Sequence, residues 1–424
     1  MNNITEVRSA RTGDSYYRID HESGLTIYLY PKPGYNSKYA IFGTRYGSVN
    51  NAFSLDGGEV KNVPDGIAHY LEHKMFECED GDAFVKYAKT GANANAYTSF
   101  DKTCYLFSCT ENFDESFRIL LDFVQRPYFT KQTVAKEQGI IGQEIRMYDD
   151  SPDWRVMFNM LENMYHKHPV QLDIAGTVES IAKITPELLY DCYYTYYNLN
   201  NMVLAVAGDL SVEDILKTAD AMLKPCEKHS IENYFEDEPY EVVSDYVEQK
   251  FPVAMPMFNL GFKEKAHKLT QKEMAEIEIA VSLLSSPSSM LYKKLDDLKL
   301  INQSYDCEYF SGQGYNAFLF SGESRSPKET AEVIKNYIDE IKTDGVDKEE
   351  FEIARREVYG DAVSGLNSVD NIANTLADFH FNGFDIFGLI DDIASVTLDD
   401  INKRLKNILD TGNTTLSVVS SPES

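Results

Sequence analysis

Along this chain the apolar residues switch repeatedly between a period of two and a period near 3.6, and each switch marks a new element. Residues 16–30 hold two short alternating runs parted by His21-Glu22-Ser23-Gly24, which predicts a hairpin. Lys38 to Tyr46 and Asn93 to Cys109, rich in Tyr, Phe, Thr and Cys, read as strands. Phe113, Phe117, Leu120, Leu121 and Val124 then recur at helical spacing and predict one apolar helix face. Thr185-Pro186-Glu187 opens a further helix, with an N-cap and a proline at its first position. Met202 to Ala207 is a continuous apolar strand, followed by Gly208-Asp209 and a capping box from Ser211 to Asp214.

The stretch 226–249 breaks the pattern, being dense in Glu and Asp with little apolar periodicity. It predicts an acidic linker at 229–249 between an N-terminal domain, 1–228, and a C-terminal domain, 250–424. The order then recurs: a strand at Met257 to Phe262, helices, strands near Tyr305 to Phe310 and Ala317 to Ser321, capped helices from Ser326-Pro327 and Asp347, and a strand at Thr415 to Ser420. The fold class is α+β, two similar domains, each an antiparallel sheet with helices packed beside it.

A chain of 424 residues is long enough for two or three separate cores. Its net charge of −28 opposes binding to phosphate backbones or anionic lipid surfaces, so neither nucleic acid nor membrane is expected as a partner. No basic segment followed by an apolar stretch opens the chain, and the apolar runs are strand-sized. The six cysteines include no CxxC pair and read as reduced, mostly buried thiols of a cytoplasmic protein.

The densest chemistry lies in Gly66-Ile67-Ala68-His69-Tyr70-Leu71-Glu72-His73. His69 and His73, four apart, project from one helix face, which suits two ligands of a catalytic zinc with an open position for water. Glu72 lies beside that face, where a carboxylate can take a proton from the water. This order, H-x-x-E-H, is the inverzincin signature. A third, oxygen ligand is required, and Glu137 and Glu144, seven apart, offer it from one face of a second helix. Spacing alone leaves open which of them ligates. Ile140 and Ile141 between them are expected to pack inward.

With these residues the chain resembles the insulinase/pitrilysin family of zinc peptidases, in particular its bacterial half-size members akin to mitochondrial processing peptidase. Gly47-Ser48, Asn95-Ala96-Tyr97-Thr98-Ser99, His168-Pro169-Val170, Gly176-Thr177, Asn200-Asn201-Met202 and Ala207-Gly208-Asp209 follow in the family's order. The resemblance implies one Zn2+ per chain, held by His69, His73 and Glu144. It implies Glu72 as general base and Glu137 as an acid in the active site behind the ligands. It further implies Asn95, Ala96 and Tyr97 on an edge strand that takes up a peptide substrate by strand addition.

Active relatives carry an Arg and a Tyr seven positions apart in the C-terminal half. Here the arginines after 230 are Arg325, Arg355, Arg356 and Arg404, and seven further on stand Glu332, Ala362, Val363 and Thr411. Where the pair is expected, Asp296 and Gln303 occur instead. The resemblance therefore points to a homodimer or a heterodimer in which a related chain supplies Arg and Tyr, or to Lys293 or Lys294 as substitutes. The expected activity is zinc-dependent endopeptidase action on unfolded peptides or short protein segments. The rivals are a zinc-bearing subunit that is inactive alone, a non-catalytic scaffold, and a zinc hydrolase of some other substrate. An acidic chamber between the domains would favour basic peptides. Tyr190, Tyr193, Tyr194 and Tyr197 predict a core helix face, while His166, His168, His267 and His380 suggest no second metal site.

Overall fold

Twelve strands carry the architecture, and their order reveals an internal repeat. β1 (Asn3–Arg8), β2 (Ser15–Asp20), β3 (Thr26–Pro31), β4 (Lys38–Thr44), β5 (Asn93–Thr98), β6 (Thr103–Cys109) and β7 (Met202–Gly208) form a seven-stranded sheet. Its order is β1-β2-β3-β7-β4-β6-β5. β8 (Tyr246–Lys250), β9 (Met257–Lys263), β10 (Asp306–Gly312), β11 (Tyr315–Glu323) and β12 (Thr414–Ser420) form a second sheet in the order β8-β12-β9-β11-β10. The segment β3-β7-β4-β6-β5 of the first sheet thus recurs strand for strand in the second. The expected strands, the 16–30 hairpin and the capping box at Ser211 are all present.

The sheets are antiparallel but for one neighbour pair in each, β3 with β7 and β8 with β12, which run parallel. A long stretch of chain carrying both helices and further strands separates the members of each pair, which leaves ample length for a parallel connection. β7 is buried at every position, which explains its unbroken apolar run.

The computed structural model describes residues 2–422 and falls into two compact units. They do not follow a single cut at 229–249. The first unit runs to Ile145 and adds Asp173–Tyr234 and Val363–Phe387; the second comprises Arg146–Leu172, Phe235–Ala362 and the chain from Gly388 onward. Each half of the sequence donates a helix to the other half's sheet. α3 (Pro152–Met164) packs on β9 and β12, and α7 (Val369–Asn382) packs on β4 and β7. Where α3 crosses β9, Gly261 faces the side chains of Met160 and Met164, and a Cβ there would stand 2.0 Å from Met164 Cε, so that methionine would have to move aside. The acidic stretch is also not bare linker: Ile231–Asn233 pairs with Ala52–Leu55, and β8 lies at its end.

On α4 (Pro186–Tyr196), Leu189, Cys192, Tyr193 and Tyr196 form the buried stripe. Tyr194 is 65% exposed and lies outside the face expected for it, because the stripe is centred on 189, 192, 193 and 196. All six cysteines are unpaired; Cys226 is exposed and the others are buried. Among the described residues no helix is long and apolar enough to cross a membrane.

Candidate metal centre

α1 (Ile67–Met75) is buried at every position except His73, so its polar residues face protein rather than solvent. Its start is fixed by Gly66, whose φ of +86° is the left-handed conformation and whose Cβ, if present, would meet Ala175 O at 2.3 Å. Ser180 Oγ donates to Asp65 O at 2.8 Å from the same neighbouring segment. The glycines before the motif and at 176 therefore share one purpose, letting two backbone segments touch where α1 begins.

α2 (Lys131–Asp149) lies against this helix. The Tyr70 hydroxyl donates to Val134 O, and His73 Nδ1–H donates to Glu137 Oε1 at 3.1 Å. Glu144 Oε1 lies 3.7 Å from His69 Nε2, and Glu144 Oε2 lies 3.4 Å from His73 Nε2. Ligand atoms of His69, His73 and Glu144 all fall within 4.8 Å of one another, the one such group among the described residues. Ligands about 2.0–2.1 Å from a tetrahedral zinc stand roughly 3.3 Å apart, so the three side chains fit the ion with small adjustments. The bond from His73 to Glu137 fixes the tautomer that leaves Nε2 free to ligate. His69 Nδ1 is buried without a hydrogen-bond partner.

The electrostatics suit the same chemistry. Burial, followed by the neighbouring charge of His73, pushes the His69 pKa down to about 3, so this imidazole is neutral and ready to ligate. Burial also opposes charge on His73, but the bond to Glu137 and the carboxylates of Glu72 and Glu144 raise its pKa overall. Burial pushes Glu72 up to about 7, against the opposing pull of His73 and of the Thr98 hydroxyl. Glu137 is lowered: burial opposes ionisation, and the bond from His73 outweighs it. A buried carboxyl poised near neutrality has the properties of a general base.

The residues singled out in the sequence are thus brought together: His69, His73 and Glu144 as one group, Glu72 beside it and Glu137 behind His73. Ile141 packs inward as expected, but Ile140 is 47% exposed. Three after Glu137 and four before Glu144, it flanks their stripe on the side opposite the buried Val134, Ile141 and Ile145. Asn95, Ala96 and Tyr97 lie on β5, the edge of the seven-stranded sheet, which is paired only with β6. Ala96 N–H is taken by the carboxamide of Asn95 at 2.9 Å. Sequence reasoning missed Thr98, whose hydroxyl donates to Glu72 Oε2 at 3.0 Å; spacing along the chain carries no signal for a contact between a strand and a helix. It also missed Lys74, fully buried and paired with Glu77.

In the second unit the counterpart is chemically muted. α5 (Gln271–Ser285) and α6 (Lys348–Gly365) bring Ser282 and Ser286, four apart, onto Glu357 at 3.4 and 2.7 Å. Hydroxyls stand there instead of imidazoles. Lys293 and Lys294 are held by Ser288 O and Glu340. Tyr305 is buried, with its hydroxyl donating to Leu284 O at 2.9 Å. His168, also buried, donates from Nε2 to Gln313 O at 2.9 Å and accepts from Val170 N–H, a structural role as expected.

Residues 48–178 match the family model described as Insulinase (Peptidase family M16), and residues 183–358 match the Peptidase M16 inactive domain. The chain is 38% identical to a protein of Bacillus subtilis (strain 168) named uncharacterized zinc protease YmfH, over 95% of this chain and 96% of that one. It is 30% identical to the mitochondrial-processing peptidase subunit beta of Caenorhabditis elegans, over 37% of this chain and 35% of that one. The crystal structure of an M16-like peptidase from Alicyclobacillus acidocaldarius superposes with a TM-score of 0.91 at 34% identity, covering 99% of this chain and 98% of that one. With a relative this similar across almost its whole length, and an H-x-x-E-H helix folded against a glutamate-bearing one, the chain belongs to the insulinase family, peptidase family M16.

Proposed function

We propose that this chain is a zinc endopeptidase acting on unfolded peptides or short protein segments, with one zinc per chain held by His69, His73 and Glu144. The observation that carries this reading is the convergence of those three side chains beside the buried carboxyl of Glu72. A bound zinc ion supplies Lewis acidity, polarising a carbonyl and lowering the pKa of a water to about 7. Glu72 takes the proton of the attacking water and returns it to the leaving amine. Glu137 holds His73 in its ligating tautomer. Asn95, Ala96 and Tyr97 offer the edge of the sheet to an extended peptide, whose main-chain groups pair with β5 irrespective of sequence. In this reading the Asn95 carboxamide occupies Ala96 N–H until a substrate carbonyl replaces it.

A second reading, a zinc-bearing subunit inactive without a related chain, is favoured by the lack of an Arg–Tyr pair and by the committed hydroxyl of Tyr305. It includes the homodimer or heterodimer expected from the sequence, in which the partner contributes donors to the substrate carbonyl, each worth about 3–4 kcal/mol. Unpaired cysteines favour a reducing compartment, the cytoplasm, for either version. The test is cleavage of an internally quenched, unstructured peptide by the purified zinc-loaded chain, with Glu72→Gln as control. Cleavage lost in the variant supports a self-sufficient peptidase. Silence despite bound zinc supports the composite enzyme, and cleavage retained by Glu72→Gln overturns the assignment of the base.

A further inference from the structure

Glu72 is a long side chain with three rotatable bonds, and a base serves only if its carboxylate is held in one orientation. The hydrogen bond it makes in the folded chain comes from Thr98, whose Oγ1 donates to Oε2 at 3.0 Å. Oε1 carries no hydrogen bond among the described residues. Thr98 is itself braced from behind. Across the ladder it faces Thr103 of β6, whose Oγ1 lies 3.3 Å from Thr98 Oγ1 and donates to Tyr46 O at 2.8 Å. Tyr46 and Thr103 are wholly buried, so the brace is built into the core.

We propose that Thr98 is the positioning residue of this site, fixing Oε2 of Glu72 to the edge strand β5 so that Oε1 is the oxygen that handles the proton. The inference rests on the peptidase reading above and adds to it a coupling. Thr98 stands two residues beyond Ala96 on the strand proposed to receive the peptide, so one backbone segment both registers the substrate and aims the base. Movement of β5 displaces both together. A merely space-filling threonine would not explain the bond to Oε2, made from a position that the ladder pairing with Thr103 holds in place.

The test compares Thr98→Val, which keeps the shape and removes the donor, with Thr98→Ser, which keeps the donor. Zinc content and melting temperature are measured alongside kcat and KM on a quenched peptide. A hydrogen bond to a charged group supports an expected fall in kcat of roughly ten- to a hundredfold for Thr98→Val, with KM and zinc content little changed. Thr98→Ser recovers most of the rate. A Thr98→Val protein with wild-type kcat overturns the proposal, as does one that loses only melting temperature. If the wild-type chain cleaves nothing, the self-sufficient reading fails separately and the composite one stands. The pair is then read by crystallography of the zinc-loaded protein. A Glu72 carboxylate that turns away in Thr98→Val and returns in Thr98→Ser supports the role, and one that stays in place overturns it.

Discussion

His73 donates its Nδ1–H to Glu137 at 3.1 Å while turning Nε2 toward Glu144. One carboxylate thus orients the imidazole whose other nitrogen faces a second carboxylate. The two glutamates, seven residues apart on α2, meet opposite nitrogens of His73, which stands between them.

Glu137→Gln keeps an acceptor for His73 but removes the charge. Zinc affinity is expected to fall about ten- to a hundredfold with the fold intact. Competition against a chromophoric chelator measures it, and an unchanged affinity would show that Glu137 does not tune the ligand.

Zinc binding is expected to weaken as pH falls from neutrality toward 5. His73, whose pKa is raised by Glu137 and the neighbouring carboxylates once burial is overcome, must give up its proton to ligate. His69, held near 3 by burial, adds nothing in that range. Calorimetry in buffers of different ionisation enthalpy counts the protons released; no release at pH 6 would contradict the assignment.

Gly66→Ala is expected to destabilise the chain by about 2–4 kcal/mol, because it combines a left-handed backbone with a clash against Ala175 O. Melting temperature and zinc content should fall together, since the start of α1 sets where His69 points. A variant with wild-type melting would mean that this backbone contact yields easily.

His168 gives the second unit a pH dependence of its own. Burial pushes its pKa to about 4, below the roughly 6.5 of an unfolded chain. The unfolded state therefore takes up the proton first. Stability is complete above pH 6.5 and declines as pH falls toward 4, by about 3 kcal/mol in all. His168→Gln, which can still donate to Gln313 O and accept from Val170 N–H, should abolish that portion of the decline. Parallel melting curves for both proteins from pH 7 to 4 would refute it.

Much of this molecule was legible in one dimension. Helix spacing alone put His69, Glu72 and His73 on one side of α1, and alternation marked the strands, because both periodicities are local properties of the backbone. The apolar run at Met202–Ala207 was readable as a buried strand for the same reason.

Tertiary structure decided what depends on contacts between distant residues. Spacing left Glu137 and Glu144 equivalent, whereas the fold brings Glu144 to both imidazoles and Glu137 to His73 Nδ1. The bond from Thr98 to Glu72 joins residues 26 apart through the packing of a strand on a helix. The exchange of α3 and α7 between the two halves of the sequence was hidden because an amphipathic helix shows which face it buries and not whose sheet will cover it.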